Sequence, residues 1–118
     1  MAIATDMVTA EYRVTDMAQA RDFYGMLFGR DPDFEASSIF VEWEVVPGYW
    51  LQLRQTDRVS CAGPVRFRVD DVEAERARLM DELGVEIDAV TRVEGVVAFC
   101  TFPDPFGNPL GLLQDLAR

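Results

Sequence analysis

Two absences define the chemistry open to this chain of 118 residues: it has no histidine, and all eleven basic residues are arginine. The usual general base, proton shuttle and commonest metal ligand is therefore missing. Serine–histidine and cysteine–histidine nucleophilic systems are excluded as ordinarily built. Without lysine there is neither a Schiff base nor a P-loop. Acid–base work would fall to carboxylates, tyrosine, cysteine or water. Glu11 is the candidate general base, and Tyr24 and Tyr49 are the candidate phenols. Cys61 and Cys100 stand alone, without C-x-x-C spacing, and read as free thiols. Trp50 and Gln52 alternate along the chain, offering a stacking surface beside an amide. Arg66 and Arg68 alternate likewise. Their guanidinium forks either pair with carboxylates of this acidic chain or take an anionic ligand.

The whole chain is strongly acidic, with a formal charge of −10. That balance argues against nucleic acid or an anionic membrane as partner, since both need a basic footprint. No apolar run approaches the roughly 20 residues that span a bilayer. The start of the chain lacks the basic and apolar regions of a secretory signal, so a cytoplasmic location is expected. The length suits one domain, residues 1–118, with a substantial core.

The elements that must position these residues are legible in order. Val8 to Val14 alternates, with Ala10, Tyr12 and Val14 on the apolar face. Asp16 caps a helix whose stripe is Met17, Ala20, Phe23, Tyr24, Leu27 and Phe28, and Gly29 ends it. A short strand over Phe34 to Ala36 precedes a hairpin of Ile39–Val46 and Tyr49–Arg54, turned at Pro47-Gly48. A two-residue loop pairs Val46 with Tyr49 and puts Trp43 on the face of Trp50, Gln52 and Arg54. A three-residue loop pairs Val46 with Trp50 and puts Glu42 and Glu44 there instead. Pro64 to Val69 alternates again, and either Asp70 or Asp71 caps a second helix. Asp70-Asp71-Val72-Glu73 has capping-box spacing, and Gly84 ends the helix. Strands are expected over Val85–Val90 and Val93–Phe102, with a turn or a bulge at Gly95. Asp104-Pro105-Phe106-Gly107-Asn108 is then a tight turn feeding a buried strand from Leu110 to Leu113.

The second half repeats the first. A shift of 55 positions carries Val14 onto Val69, Asp16 onto Asp71 and Gly29 onto Gly84. Near the ends the shift is 59, carrying Leu51 onto Leu110 and Leu53 onto Leu112. The expected fold is α+β: two tandem βαβββ modules, about 6–56 and about 62–116, forming a cupped mixed sheet with helices on its outer face.

Three stretches carry a resemblance: Arg13-Val14-Thr15-Asp16 running to Asp22-Phe23-Tyr24; Phe67-Arg68-Val69-Asp70-Asp71 running to Leu83-Gly84; and Asp104-Pro105-Phe106-Gly107-Asn108-Pro109. With them the chain resembles the vicinal oxygen chelate superfamily of glyoxalases, extradiol dioxygenases and bleomycin-type resistance proteins. The Gly111-Leu112-Leu113-Gln114 ending is similar to that of small glyoxalase-like members of unassigned activity. The resemblance implies metal-ligand positions on four strands, and these fall on Thr9, Gln52, Pro64 and Gly111. None carries an imidazole or carboxylate, so no metal and no cofactor are expected, and whether the chain is an enzyme stays open. The same alignment turns Thr9, Glu11, Trp50, Gln52, Arg66, Arg68, Gly111 and Leu113 toward a cleft as candidate ligand-binding residues. Gly111 is small either to admit a ligand or to allow close packing, and Trp50 either stacks on a ligand or packs in a core or dimer interface. The resemblance further implies a homodimer. The expected function is metal-free binding of a small molecule, an aromatic or cationic compound that the protein sequesters. The alternative is a glyoxalase-like lyase, isomerase or dioxygenase with a non-standard or absent metal site. A noncatalytic interaction module is a third reading.

Overall fold

The computed structural model describes residues 4–58 and 64–117. The chain divides into two compact units, residues 1–60 and 61–118. Cys61 lies outside the described residues.

In the first unit, β1 (Val8–Val14) leads to α1 (Met17–Phe28), then β2 (Phe34–Ser37), β3 (Phe40–Val46) and β4 (Tyr49–Gln55). The four strands form one mixed sheet in the order β1-β4-β3-β2, with β1 parallel to β4. The Asp16 side chain accepts the Gln19 amide at 3.1 Å and starts α1. Gly29, at φ 72°, ends the helix in the left-handed region. The apolar alternation of the strands meets the helix stripe in a core of Tyr12, Val14, Phe23, Tyr24, Trp43, Leu51 and Leu53. Trp43 is fully buried, 6.0 Å from the Tyr24 ring and 5.6 Å from Phe28. Its indole N–H donates to the Arg30 carbonyl at 3.1 Å, so the one polar atom of this side chain is satisfied.

The β3–β4 hairpin resolves the two sequence alternatives in an unanticipated way. Its loop is the two-residue one, with Val46 opposite Tyr49. A bulge at Val45 then shifts the register, so Glu44 faces Trp50 and Glu42 faces Gln52. The one extra residue flips every side chain beyond it. Trp43 goes to the core opposite Leu51, and the two glutamates join the face of Trp50.

In the second unit, β5 (Val65–Arg68), α2 (Val72–Leu83), β6 (Thr91–Val93), β7 (Val97–Pro103) and β8 (Pro109–Asp115) build an equivalent sheet in the order β5-β8-β7-β6. Asp71 is the cap, its carboxylate accepting the Ala74 amide at 3.1 Å. The capping box starting at Asp70 therefore does not form, because the helix begins one residue later. Residues 85–90 are not a strand. Ile87 is buried, but its carbonyl accepts from Arg76 Nη2 at 2.7 Å and that of Asp88 from Arg76 Nε at 2.8 Å. A side chain thus takes the acceptors a strand partner would have used. The strand expected over Val93–Phe102 is split by a turn at Gly95, φ 71°, leaving β6 as a three-residue edge.

The final turn forms as its residues require. Asp104 Oδ1 accepts the amides of Phe106 and Asn108, each at 2.8 Å, and Oδ2 accepts Asn108 Nδ2 at 2.8 Å. Only Gly107 takes a positive φ, 88°; Asn108 contributes through its side chain. The repeat reaches the side chains. Gln55 Oε1 accepts the first amide of α1, Met17 N–H, at 2.8 Å, and Gln114 Oε1 accepts that of α2, Val72 N–H, at 3.0 Å.

Candidate functional site

Each sheet has one face covered by its helix and one face free of it, and the candidate residues stand on the free faces. In the first unit, strand register places Thr9 beside Trp50, Glu11 beside Gln52 and Arg13 beside Arg54. Glu44, Glu42 and Phe40 complete the same rows from β3. Trp50 and Gln52 are half-buried, while Thr9 and Glu11 are exposed. Trp50 is thus a surface residue of its unit and not part of its core.

The charges on this face are unevenly matched. Glu11 Oε1 accepts from Arg54 Nε at 3.1 Å, and its other oxygen lies 3.9 Å from Arg13 Nε. The Arg54 guanidinium in turn sits 4.7 Å from the centre of the Phe40 ring. Glu42 and Glu44 have no arginine within ion-pair distance among the described residues. Glu44 Oε2 accepts the Gly48 amide at 3.1 Å, and Glu42 Oε1 has only a long contact of 3.5 Å to Gln52 Nε2. By register Glu11, Glu42 and Glu44 thus stand against Arg13 and Arg54 on this face, while Arg30, ion-paired with Asp33, donates to the Glu44 backbone carbonyl at 2.8 Å.

In the second unit, register places Arg66 beside Gly111 and Arg68 beside Leu113, with Thr101 and Phe99 next across β7. Gly111 is buried under the arginine. A β-carbon built there would stand 2.8 Å from Arg66 Cγ and 2.7 Å from the Cys100 carbonyl oxygen. The guanidinium of Arg66 lies 5.1 Å from the Phe99 ring centre, and its Nη2 donates to Thr101 Oγ1 at 3.5 Å. Neither Arg66 nor Arg68 pairs with a carboxylate among the described residues of this unit, whose ion pairs are those of Arg78 with Glu75 and Glu82. Arg68 lines a shallow depression of about 390 Å³ with Val69, Asp70, Gln114 and Asp115.

The four positions implied as metal ligands do not fit a divalent ion. Thr9 and Gln52 offer neutral oxygens, Pro64 offers no side-chain donor, and Gly111 is covered by an arginine. No group of three or more cysteine, aspartate or glutamate side chains among the described residues is arranged to hold an ion. Sequence reasoning missed Phe99 and Thr101 as members of these faces, and left Glu42 and Glu44 as one of two alternatives, which the register selects. The 59-residue shift, which superposes Phe40 on Phe99, could have found the first. The glutamates depended on the bulge at Val45.

No protein-family model and no curated protein matches the chain. Solved structures do. A glyoxalase/bleomycin resistance protein from Catenulispora acidiphila is 21% identical over 92% of this chain and 96% of its own, with a TM-score of 0.75. A fosfomycin resistance protein from Listeria monocytogenes, solved with Mn(II) and a dihydroxypropylphosphonic acid, is 20% identical over 95% and 90%, at 0.72. A lactoylglutathione lyase from Agrobacterium tumefaciens is 18% identical over 92% of both chains, at 0.71. At these identities the likeness is one of fold. The chain has the glyoxalase/bleomycin resistance fold that its motifs imply, and its neighbours in that fold include a manganese-bound protein.

Proposed function

We propose that this chain is a metal-free binding protein for a small planar compound carrying positive charge, held against the Trp50 face of the first unit. The observation that carries the reading is the pairing of half-buried Trp50 with Glu44, beside Glu42 and Gln52, on a face where two carboxylates lack arginine partners. An indole face attracts a cation, more strongly where nearby charge is negative. Gln52 supplies an amide for a hydroxyl or carbonyl of the ligand. The donor chemistry at Thr9, Gln52, Pro64 and Gly111 supports binding without a divalent ion. Fold neighbours named for resistance to bleomycin and fosfomycin are consistent with a small compound as the ligand.

Metal analysis of the purified protein, followed by a thermal-shift screen of planar cations and their neutral isosteres, tests this. The reading expects substoichiometric divalent metal and stabilisation by the cations alone. Stoichiometric metal, or chelator-sensitive turnover of an α-keto hemithioacetal or a catechol, would overturn it in favour of a glyoxalase-type enzyme.

A further inference from the structure

We infer that the second unit carries an oxyanion site built on Arg66, which takes a carboxylate or phosphonate group. The inference stands on the second unit alone and does not depend on the Trp50 reading. Three neighbours surround the exposed arginine. Gly111 beneath it leaves room for the stem to cross β8, because a β-carbon there would meet Cγ at 2.8 Å and Nε at 3.2 Å. Phe99 lies 5.1 Å from the guanidinium, and Nη2 has a long contact of 3.5 Å to Thr101 Oγ1. A guanidinium has five N–H donors, so four remain for a ligand, arranged in the fork that suits two oxygens of one group.

Arg66 is exposed and, like Arg58, Arg68, Arg76 and Arg92, forms no ion pair among the described residues of its own unit; its seat over Gly111 and beside Phe99 is what sets it apart. The chain has 21 acidic residues and 11 basic ones, yet among the described residues of the second unit only Arg78 forms ion pairs, and no carboxylate of that unit pairs with Arg66 or Arg68. The one carboxylate on this face by register is Asp115, two positions beyond Leu113. Its Oδ1 accepts the Ala117 amide at 2.9 Å. Asp115 and Asp70 both border the depression that Arg68 lines, so Arg68 is the weaker of the two arginines for an anion. Arg66 lies against Phe99 over Gly111 and has no acid partner among the described residues of its unit. A guanidinium seated in this way, with its remaining N–H donors turned to solvent, suits the two oxygens of an external oxyanion.

The test is a calorimetric titration of the metal-free protein with phenylphosphonate and, separately, benzoate. Arg66 Nε–H is followed by NMR in parallel. Saturable binding of at least one probe is expected, with a shifted Arg66 Nε–H resonance. Arg66→Gln should weaken binding about tenfold or more, Arg66→Lys less, and Arg68→Gln by only about twofold to threefold. Which probe binds more tightly tells a phosphonate site from a carboxylate site. Unchanged melting temperature in Arg66→Gln shows that the loss is not one of folding. Should that variant prove unstable, the Arg66 Nε–H shift in the unsubstituted protein decides alone. The inference is overturned if neither probe saturates, or if both bind without moving that resonance or depending on Arg66. Because the Trp50 reading is followed through cations and indole emission, either proposal can fail while the other stands.

Discussion

Arg66 lies across Gly111. A β-carbon at position 111 would be 2.8 Å from the arginine Cγ and 2.7 Å from the backbone carbonyl of Cys100. The glycine is where the resemblance puts the fourth metal ligand, so a carboxylate cannot be restored there without moving the arginine and the neighbouring strand. The Gly111→Glu variant should therefore lose about 1–3 kcal/mol of stability through overpacking. It should gain no divalent metal, since Thr9, Gln52 and Pro64 still supply no anionic donor. Chemical denaturation and metal analysis check the two halves of this expectation.

The paired glutamines are the next test. Gln55 and Gln114 each accept the first amide of a helix, at 2.8 and 3.0 Å. Substituting either by methionine keeps the length of the side chain and orphans a helix N–H. Each variant should lose about 1 kcal/mol by urea denaturation. A neutral result at both sites would mean that water replaces the side chains without cost.

These glutamines also show how far the sequence carried. The repeat, the Asp16 cap, both terminal glycines and the Asp104 turn were legible, because each rests on local chemistry within a few residues, while the second cap was narrowed only to Asp70 or Asp71. The bulge at Val45 was not, because no Gly or Pro marks it, and it alone decides that Glu42 and Glu44 flank Trp50. Residues 85–90 looked like a strand because Val85, Ile87 and Ala89 alternate with polar residues. They are not one because Arg76, from the preceding helix, takes the carbonyls of Ile87 and Asp88. The Arg66–Gly111 crossing was invisible for the same reason: neither residue carries a local signal of the other.

Asp33 gives a pH dependence. Its carboxylate accepts from the Arg30 guanidinium at 3.0 Å and from the Glu44 amide at 2.7 Å. The Arg30 hydrogen bond, helped by that amide, holds its pKa below the ordinary carboxylate value. In the unfolded chain the group protonates first as the pH falls. Its contribution is therefore fully present above the unfolded pKa and is lost as the pH drops through the lower folded value. The side chain is about a third exposed, so solvent screening keeps the contribution under about 1 kcal/mol. Asp33→Asn should be less stable than the unsubstituted protein at neutral pH, and the gap should narrow in acid. A gap that stays constant in acid titrations of stability would remove Asp33 from the account.

Cys100 should be inert. It is 2% exposed, and burial pushes its thiol above the ordinary value. In a Cys61→Ser background, native protein should react with a thiol reagent only as fast as it opens, and denaturant should release the reaction. Rapid native labelling would show that β7 is not packed as described.

The binding proposal rests on Trp50, and the chain has a built-in reference for it: Trp43 is fully buried, while Trp50 is half-exposed. The most direct measurement is a tryptophan-emission titration of chelator-treated protein with a series of planar aromatic cations. The account predicts saturable quenching of the Trp50 component that disappears in Trp50→Phe, weakens several-fold in a Glu42→Gln, Glu44→Gln double variant, and is unchanged by added divalent metal. Quenching that persists in Trp50→Phe, or binding that appears only when metal is restored, would contradict it.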